Sequence, residues 1–198
     1  MKAIIFTLSI ALFLSCKQKK EPAELKPVQT TFTKVNDSSA ESIYVLEDTF
    51  TNENNSTFVL SQLKGKPTVV AMIFTNCVYA CPRITSDMLE LQKKLSKDSD
   101  KINFLLVSFD TERDTPAALK AYANNMNLDK NWTLLHGSDE AVRTLSVLLN
   151  IQFAKDESGN FSHSNIISVL DKNGVLKFQK EGLNVSQEKT FEAIKKEI

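Results

Sequence analysis

Runs of apolar residues alternate with segments of helical spacing through the central part of the chain. Residues 68–74 are almost continuously apolar, which is typical of a strand buried on both faces of a sheet. Residues 102–109 predict a second such strand. Between them, residues 82–95 carry apolar side chains at helical spacing, and Pro82 favours a helix start. The pattern predicts a strand, a helix and a second strand in succession.

The same alternation continues towards the carboxyl terminus. Thr115 followed by Pro116 is a helix start, since the hydroxyl can cap the first turn and proline needs no amide there. The turn at residues 171–174, Asp-Lys-Asn-Gly, predicts a hairpin. The elements predicted after residue 114 are a helix at 115–126, a strand at 132–135, a helix capped by Ser138, strands at 165–170 and 175–179, and a helix at 186–198.

A further hairpin is predicted near the start of the folded part. Residues 43–50 and 57–60 flank a polar turn at residues 51–56. Together the elements predict an α/β fold, a mixed sheet with helices on both faces. Their order is that of a thioredoxin-like domain with an extra helix-bearing insertion and an N-terminal β-hairpin.

The amino-terminal residues have the layout of a secretory signal. Lys2 precedes an apolar core at residues 3–14, and Ser15-Cys16 follows. The segment Leu-Phe-Leu-Ser-Cys ending at Cys16 places cysteine where a bacterial lipoprotein carries its acyl anchor. We therefore predict a lipoprotein signal peptide over residues 1–15 and lipidation of Cys16. The alternative is a short hydrophobic membrane anchor with an incidental cysteine.

The residues after Cys16 are charged and interrupted by proline, so residues 16–35 are predicted to be an extended tether. Residues 36–198 then form one domain, and hydrophobic residues at 42% are ordinary for a globular protein. The 24 basic and 24 acidic residues balance, which gives no support for nucleic-acid binding.

Two cysteines lie in the loop that leaves the first buried strand. Cys77 and Cys81 are four positions apart, and the helix started by Pro82 follows directly. Free amides and the helix dipole at that point favour a thiolate, so we expect a depressed pKa at Cys81. The chain has 3 Cys, and if Cys16 is lipidated in an oxidising compartment, only this pair can form a disulfide.

The pair permits two chemical interpretations. Two thiolates with one imidazole, such as His163, suit a soft ion of low coordination such as copper. The same thiols could instead cycle through a disulfide, although thiol oxidoreductases of the thioredoxin type use a CxxC spacing. Two inert buried cysteines, and a His163 that is only a polar loop residue, are the structural alternatives.

The residues around these positions resemble the Sco family, called SenC in bacteria, which are membrane-tethered copper proteins. Members assist assembly of the dinuclear copper centre of cytochrome c oxidase. The resemblance rests on Gly-Lys-Pro at 65–67, Phe-Thr-x-Cys-x-x-x-Cys-Pro at 74–82, Ser-Phe-Asp-Thr-Glu-Arg-Asp-Thr-Pro at 108–116, His-Ser at 163–164, and the turn at 171–174. It implies that Cys77, Cys81 and His163 bind copper.

Other polar residues have weaker assignments. Asp110 and Asp114 match the acidic motif of the family; we expect Asp110 to support the ligands from behind or help to hold Cu(II), and Asp114 to serve the turn and helix cap. His136 is interpreted as peripheral. Members often carry an acidic residue just before the ligand histidine, where this chain has Ser162.

The resemblance implies a copper metallochaperone, lipid-anchored in the bacterial cell envelope with its domain facing the periplasm. It would pass copper or electrons to the copper-binding subunit of cytochrome c oxidase, with another copper chaperone or a thiol reductase as a further partner. The alternative is a thiol:disulfide reductase in which the redox pair Cys77 and Cys81 keeps the oxidase cysteines reduced. A peroxidase is a more distant third.

Overall fold

The computed structural model describes residues 41–198. The strands are β1 (Thr49–Asn52), β2 (Thr57–Val59), β3 (Thr68–Ile73), β4 (Asn103–Ser108), β5 (Trp132–His136), β6 (Phe153–Lys155), β7 (Phe161–His163), β8 (Ile166–Leu170) and β9 (Leu176–Glu181). The α-helices are α1 (Ala80–Leu95), α2 (Pro116–Asn125), α3 (Asp139–Leu148) and α4 (Glu188–Glu197). Short 3₁₀ helices span Ile43–Val45, Leu60–Leu63 and Ser96–Lys101.

Seven strands form one mixed sheet in the order β2-β1-β5-β4-β3-β8-β9. The three central strands β5, β4 and β3 run parallel, because each is joined to the next by a helical crossover. Strand β8 pairs antiparallel with β3, and the hairpins β1–β2 and β8–β9 complete the two edges. The predicted thioredoxin-like arrangement and both predicted hairpins are confirmed.

Both faces of this sheet are covered. All six residues of β3 and all five of β8 are buried, which an open sheet face would not allow. Helices α1 and α2 share one face, where the hydroxyls of Thr85 and Tyr122 lie 2.8 Å apart, and α4 packs beside α1. Helix α3 leads from β5 to β8 on the far side of β3, so the winding reverses and α3 covers the other face.

Several boundaries differ from the sequence prediction. Residues 43–45 form a 3₁₀ turn rather than a strand, because the Ser42 hydroxyl accepts the Tyr44 N–H and caps it. Helix α1 begins at Ala80 rather than at Pro82, so Cys81 lies inside its first turn. The short hairpin β6–β7 was not predicted. It forms a separate two-stranded sheet.

The predictions for residues 1–15, for Cys16, for the whole tether at 16–35 and for the first residues of the domain, 36–40, concern positions before the described part of the chain. In residues 41–198, none of the helices combines the length and the apolar character needed to cross a membrane.

Candidate metal centre

The two cysteines lie where β3 ends and α1 begins, at the carboxyl end of the parallel strands. Cys77 is in the connecting turn, and its N–H donates to the Phe74 carbonyl at 3.3 Å. The backbone N–H of Cys81 donates to the Cys77 sulfur at 3.3 Å, and the N–H of Phe74 donates to the Cys81 sulfur at 3.5 Å. The turn therefore directs backbone donors at both sulfur atoms, which favours bound thiolates.

His163 reaches the cysteines from the end of β7. Its Nδ1 lies 3.1 Å from the Ser164 carbonyl, and a carbonyl can only accept, so Nδ1 carries the proton. The lone pair is then on Nε2, which lies 4.0 Å from the Cys81 sulfur. This tautomer is the one that can bind a metal through Nε2.

The three ligand atoms of Cys77, Cys81 and His163 lie within 4.8 Å of one another. A sulfur and an imidazole nitrogen on one ion, with bonds of about 2.3 and 2.0 Å, are about 3.7 Å apart at 120° and about 4.3 Å apart when opposite. The 4.0 Å between Cys81 and His163 falls between these values. The donor set fits a single ion, and its two sulfurs and one nitrogen select a soft, thiophilic one.

Burial determines the protonation of two of these residues. Cys81 is 0% exposed. Burial raises the pKa of its thiol above the ordinary value, and the N–H of Phe74 only partly opposes this. The depressed pKa expected at Cys81 from its helix position is therefore wrong: loss of hydration outweighs the helix dipole. Burial also lowers the pKa of His163, which keeps the imidazole neutral and able to bind a metal.

An aromatic wall surrounds the imidazole of His163. The ring centre of Phe109 lies 4.9 Å from that of His163, and the Phe74 ring stands edge-on at 6.2 Å. Phe153 stacks on Phe109 at 5.2 Å, and Phe161 packs against both Phe74 and Phe109, at 5.3 and 4.9 Å between ring centres. These rings exclude water from one side of the site, which strengthens electrostatic interactions there.

Asp114 holds the cysteine loop in place, a role that the sequence analysis missed. Its buried carboxylate accepts the Thr75 N–H at 2.8 Å, the Thr75 hydroxyl at 2.5 Å and the Ser108 hydroxyl at 2.5 Å. Thr115 is confirmed as the predicted cap of α2, since its hydroxyl accepts the Ala118 N–H at 3.2 Å. Asp114 thus fixes the residue two positions before Cys77.

Asp110 is also fully buried, but it is not one of the three clustered ligand residues. Its carboxylate pairs with the Arg113 guanidinium and accepts the Arg113 N–H at 3.3 Å. The expected role of Asp110 in supporting the ligands stays a prediction. His136 pairs with Thr51 in the main sheet and is likewise outside the cluster found among residues 41–198, as its peripheral interpretation predicts.

Comparison with known proteins identifies the family of the chain. A family model described as SCO1/SenC matches residues 36–198. A SCO1 protein homolog from Bacillus subtilis is 37% identical over 94 residues, which is 47% of this chain and 49% of that protein. The chain spans about half to three quarters of the length of the curated relatives it matches.

Solved structures of similar proteins have the same architecture. A SCO1/SenC family lipoprotein from Bacillus anthracis is 31% identical with a TM-score of 0.69, covering 75% of this chain and 91% of that one. Bradyrhizobium japonicum ScoI with copper bound is 26% identical with a TM-score of 0.63, covering 76% of this chain and 97% of that one.

Proposed function

The chain belongs to the SCO1/SenC family, and from this premise we propose that it is a copper chaperone whose ligands are Cys77, Cys81 and His163. The observation that carries the proposal is the convergence of their two sulfurs and one imidazole nitrogen within 4.8 Å. Copper is the cargo here. The copper-bound structure of a relative with the same fold supports this choice of metal.

The donor set favours Cu(I) on chemical grounds. Thiolate sulfur is a soft ligand, and Cu(I) accepts two or three such ligands, whereas a structural zinc site is almost always four-coordinate. The cluster in the described residues has three members.

Transfer of the ion requires access for the ligands of a partner. Cys77 is only half-buried, and Val78 and Tyr79 beside it are 96% and 64% exposed. A loop ligand at the edge of the sheet can therefore meet an incoming donor, while Cys81 and His163 hold the ion from behind. The proposed recipient is the copper-binding subunit of cytochrome c oxidase.

The proposed location is the bacterial cell envelope, where a lipid on Cys16 anchors the chain in the inner or the outer membrane and the domain faces the periplasm. Cys16 closes the lipobox-like sequence at the amino terminus. The related lipoprotein from Bacillus anthracis supports this anchor. Labelling with radioactive palmitate in wild type and Cys16→Ser tests it, and equal label in both would contradict it.

Copper binding by the reduced protein tests the ligand set. We expect one Cu(I) per chain in wild type, loss of tight binding in Cys77→Ser and in Cys81→Ser, and a weaker site in His163→Ala. His136→Ala is the matched control, because it removes the only other histidine from outside the cluster. Equal affinity in His163→Ala and His136→Ala would contradict the ligand role of His163.

A thiol:disulfide reductase is the second candidate, favoured by two free thiols four positions apart, one in the turn after β3 and one in the first turn of α1. In this mechanism the Cys77 thiolate attacks a partner disulfide and releases one partner thiol. Cys81 then attacks the mixed disulfide, so the partner gains two electrons and two protons and the chain keeps the Cys77–Cys81 disulfide. A thiol reductase would have to restore the dithiol.

Burial assigns the order of these steps. Cys81 is inaccessible and its raised pKa disfavours the thiolate, so only half-buried Cys77 can make the first attack. His163→Ala separates the two functions, since it removes a copper ligand and neither thiol. If oxidase maturation persists in this variant at the wild-type level, copper transfer is wrong and thiol reduction is favoured.

A further inference from the structure

The hairpin that carries His163 is not part of the hydrogen-bonded main sheet. Strands β6 and β7 pair only with each other among the described strands, with three residues in each. An isolated two-stranded hairpin is marginally stable in water. Contacts from outside the hairpin must therefore hold it if Nε2 of His163 is to remain 4.0 Å from the Cys81 sulfur. Ring contacts of Phe153 and Phe161 with Phe109 hold its apolar side, which leaves the turn at its far end to be held by polar contacts.

Arg113 connects this hairpin to the rigid part of the domain. Its Nε pairs with the fully buried Asp110 carboxylate just after β4, and its Nη2 donates to the Gly159 carbonyl at 2.6 Å. Gly159 lies in the turn between β6 and β7, at a positive φ of 80°. One planar guanidinium thus bonds Asp110, next to the main sheet, through Nε and the hairpin turn through Nη2.

Two neighbouring contacts also join residues 112–113 to the hairpin. The Arg113 guanidinium lies 5.8 Å from the centre of the Phe161 ring, and Phe161 is two residues before His163. Glu112 pairs with Lys155 of β6 at 2.5 Å, but the Glu112 side chain is 74% exposed. An exposed pair contributes little, whereas a guanidinium paired to a buried carboxylate is held firmly.

We propose that Arg113 is the positioning residue of His163, fixing the β6–β7 hairpin to Asp110 so that the imidazole meets the two sulfurs. The role does not involve contact between Arg113 and the metal. Its relevance to copper rests on the proposed function, but the placement of the hairpin is a property of the metal-free protein.

Backbone amide exchange in the reduced, metal-free protein tests the proposal. Arg113→Lys keeps a positive charge beside Asp110, yet a single ammonium on a flexible stem cannot reproduce the two-edged bonding of the guanidinium. We expect amides of residues 153–163 to exchange at least about tenfold faster, while β3 and β4 are unchanged; tenfold corresponds to about 1.4 kcal/mol.

Two further variants guard against unrelated effects. Asp110→Asn combined with Arg113→Gln removes both charges, so no unpaired buried carboxylate is left, and it should loosen the hairpin as Arg113→Lys does. Arg143→Gln is the control, because Arg143 stacks on Phe153 of the same hairpin at 5.2 Å and pairs with the exposed Asp139. Unchanged hairpin exchange in both Arg113 variants, or equal acceleration in Arg143→Gln, overturns the proposal.

A copper measurement distinguishes this proposal from the proposed function. Arg113→Lys should weaken Cu(I) binding in the wild-type background and have no effect in the His163→Ala background, where no imidazole remains to be positioned. If His163→Ala itself leaves the affinity unchanged, the ligand set under the proposed function is wrong. Faster hairpin exchange would still support the positioning role of Arg113.

Discussion

Replacing Asp114 by alanine should cost the protein a large part of its stability. The substitution removes the acceptor of three hydrogen bonds, two from half-buried Thr75 and one from fully buried Ser108. A buried donor left without a partner costs about 1–3 kcal/mol. Because two of the three donors belong to half-buried Thr75, we take the lower limit for each, about 3 kcal/mol in total. Removing the buried carboxylate also removes the cost of its own desolvation, which keeps the total from rising much further.

Thermal and urea unfolding of the reduced, metal-free protein measure this effect. For a domain of this size, about 3 kcal/mol corresponds to a fall in Tm of about 6–12 °C. Asp139→Ala is the control, since Asp139 pairs with Arg143 at 2.7 Å on the surface and both side chains are more than half exposed. An exposed pair contributes at most about 1 kcal/mol.

The loop should respond as well as the whole domain. Thr75 leads directly into the Cys77 turn, so Asp114→Ala should also weaken Cu(I) binding at temperatures where the variant is still folded. A fall in Tm no greater than that of Asp139→Ala would refute the reasoning. It would mean that the three donors find other partners once the carboxylate is gone.

Three further outcomes are expected. Since burial raises the pKa of Cys81, copper must displace a proton from its thiol near neutral pH. The apparent Cu(I) affinity, measured by chelator competition, should therefore rise about tenfold per pH unit for each proton displaced. An affinity that does not change with pH would contradict this. Because burial lowers the pKa of His163, this histidine takes up a proton at a higher pH in the unfolded chain than in the folded one. Urea unfolding should therefore show the free energy of unfolding falling as the pH drops below about 6.5. His163→Gln should lose that part of the pH dependence. Gly174→Ala should lower the Tm more than Gly65→Ala. Both positions have positive φ, but only at Gly174 would the new carbon lie 2.9 Å from the Tyr44 ring. An equal fall in Tm in the two variants would exclude the steric cause.

Much of the fold was predictable because its strands are either fully buried or closed by clear turns. Residues 68–73 need no knowledge of their neighbours to be recognised as a buried strand, and the turn at 171–174 determines its own hairpin. The pairing of Cys77 with Cys81 near a helix start was likewise evident, because all of its parts are adjacent in the chain.

The features that were missed depend on residues distant in the sequence. Strands of three residues, such as Phe161–His163, are too short to show a period, so His163 looked like a loop residue. Asp114 binds Thr75 across 39 positions, which no local pattern contains. The pKa of Cys81 was predicted in the wrong direction because helix position is visible in the sequence, whereas the packing that removes water from the sulfur is not.

The separate sheet formed by β6 and β7 has a consequence for how the proposed copper cargo would be released. The two sulfur donors lie where a central strand meets a helix, with Cys77 in the exposed turn between them, whereas the nitrogen donor belongs to a hairpin attached through side chains. For the proposed copper cargo, the three bonds therefore need not break together. Cys77 can exchange first with a ligand of the recipient while Cys81 and His163 still hold the ion.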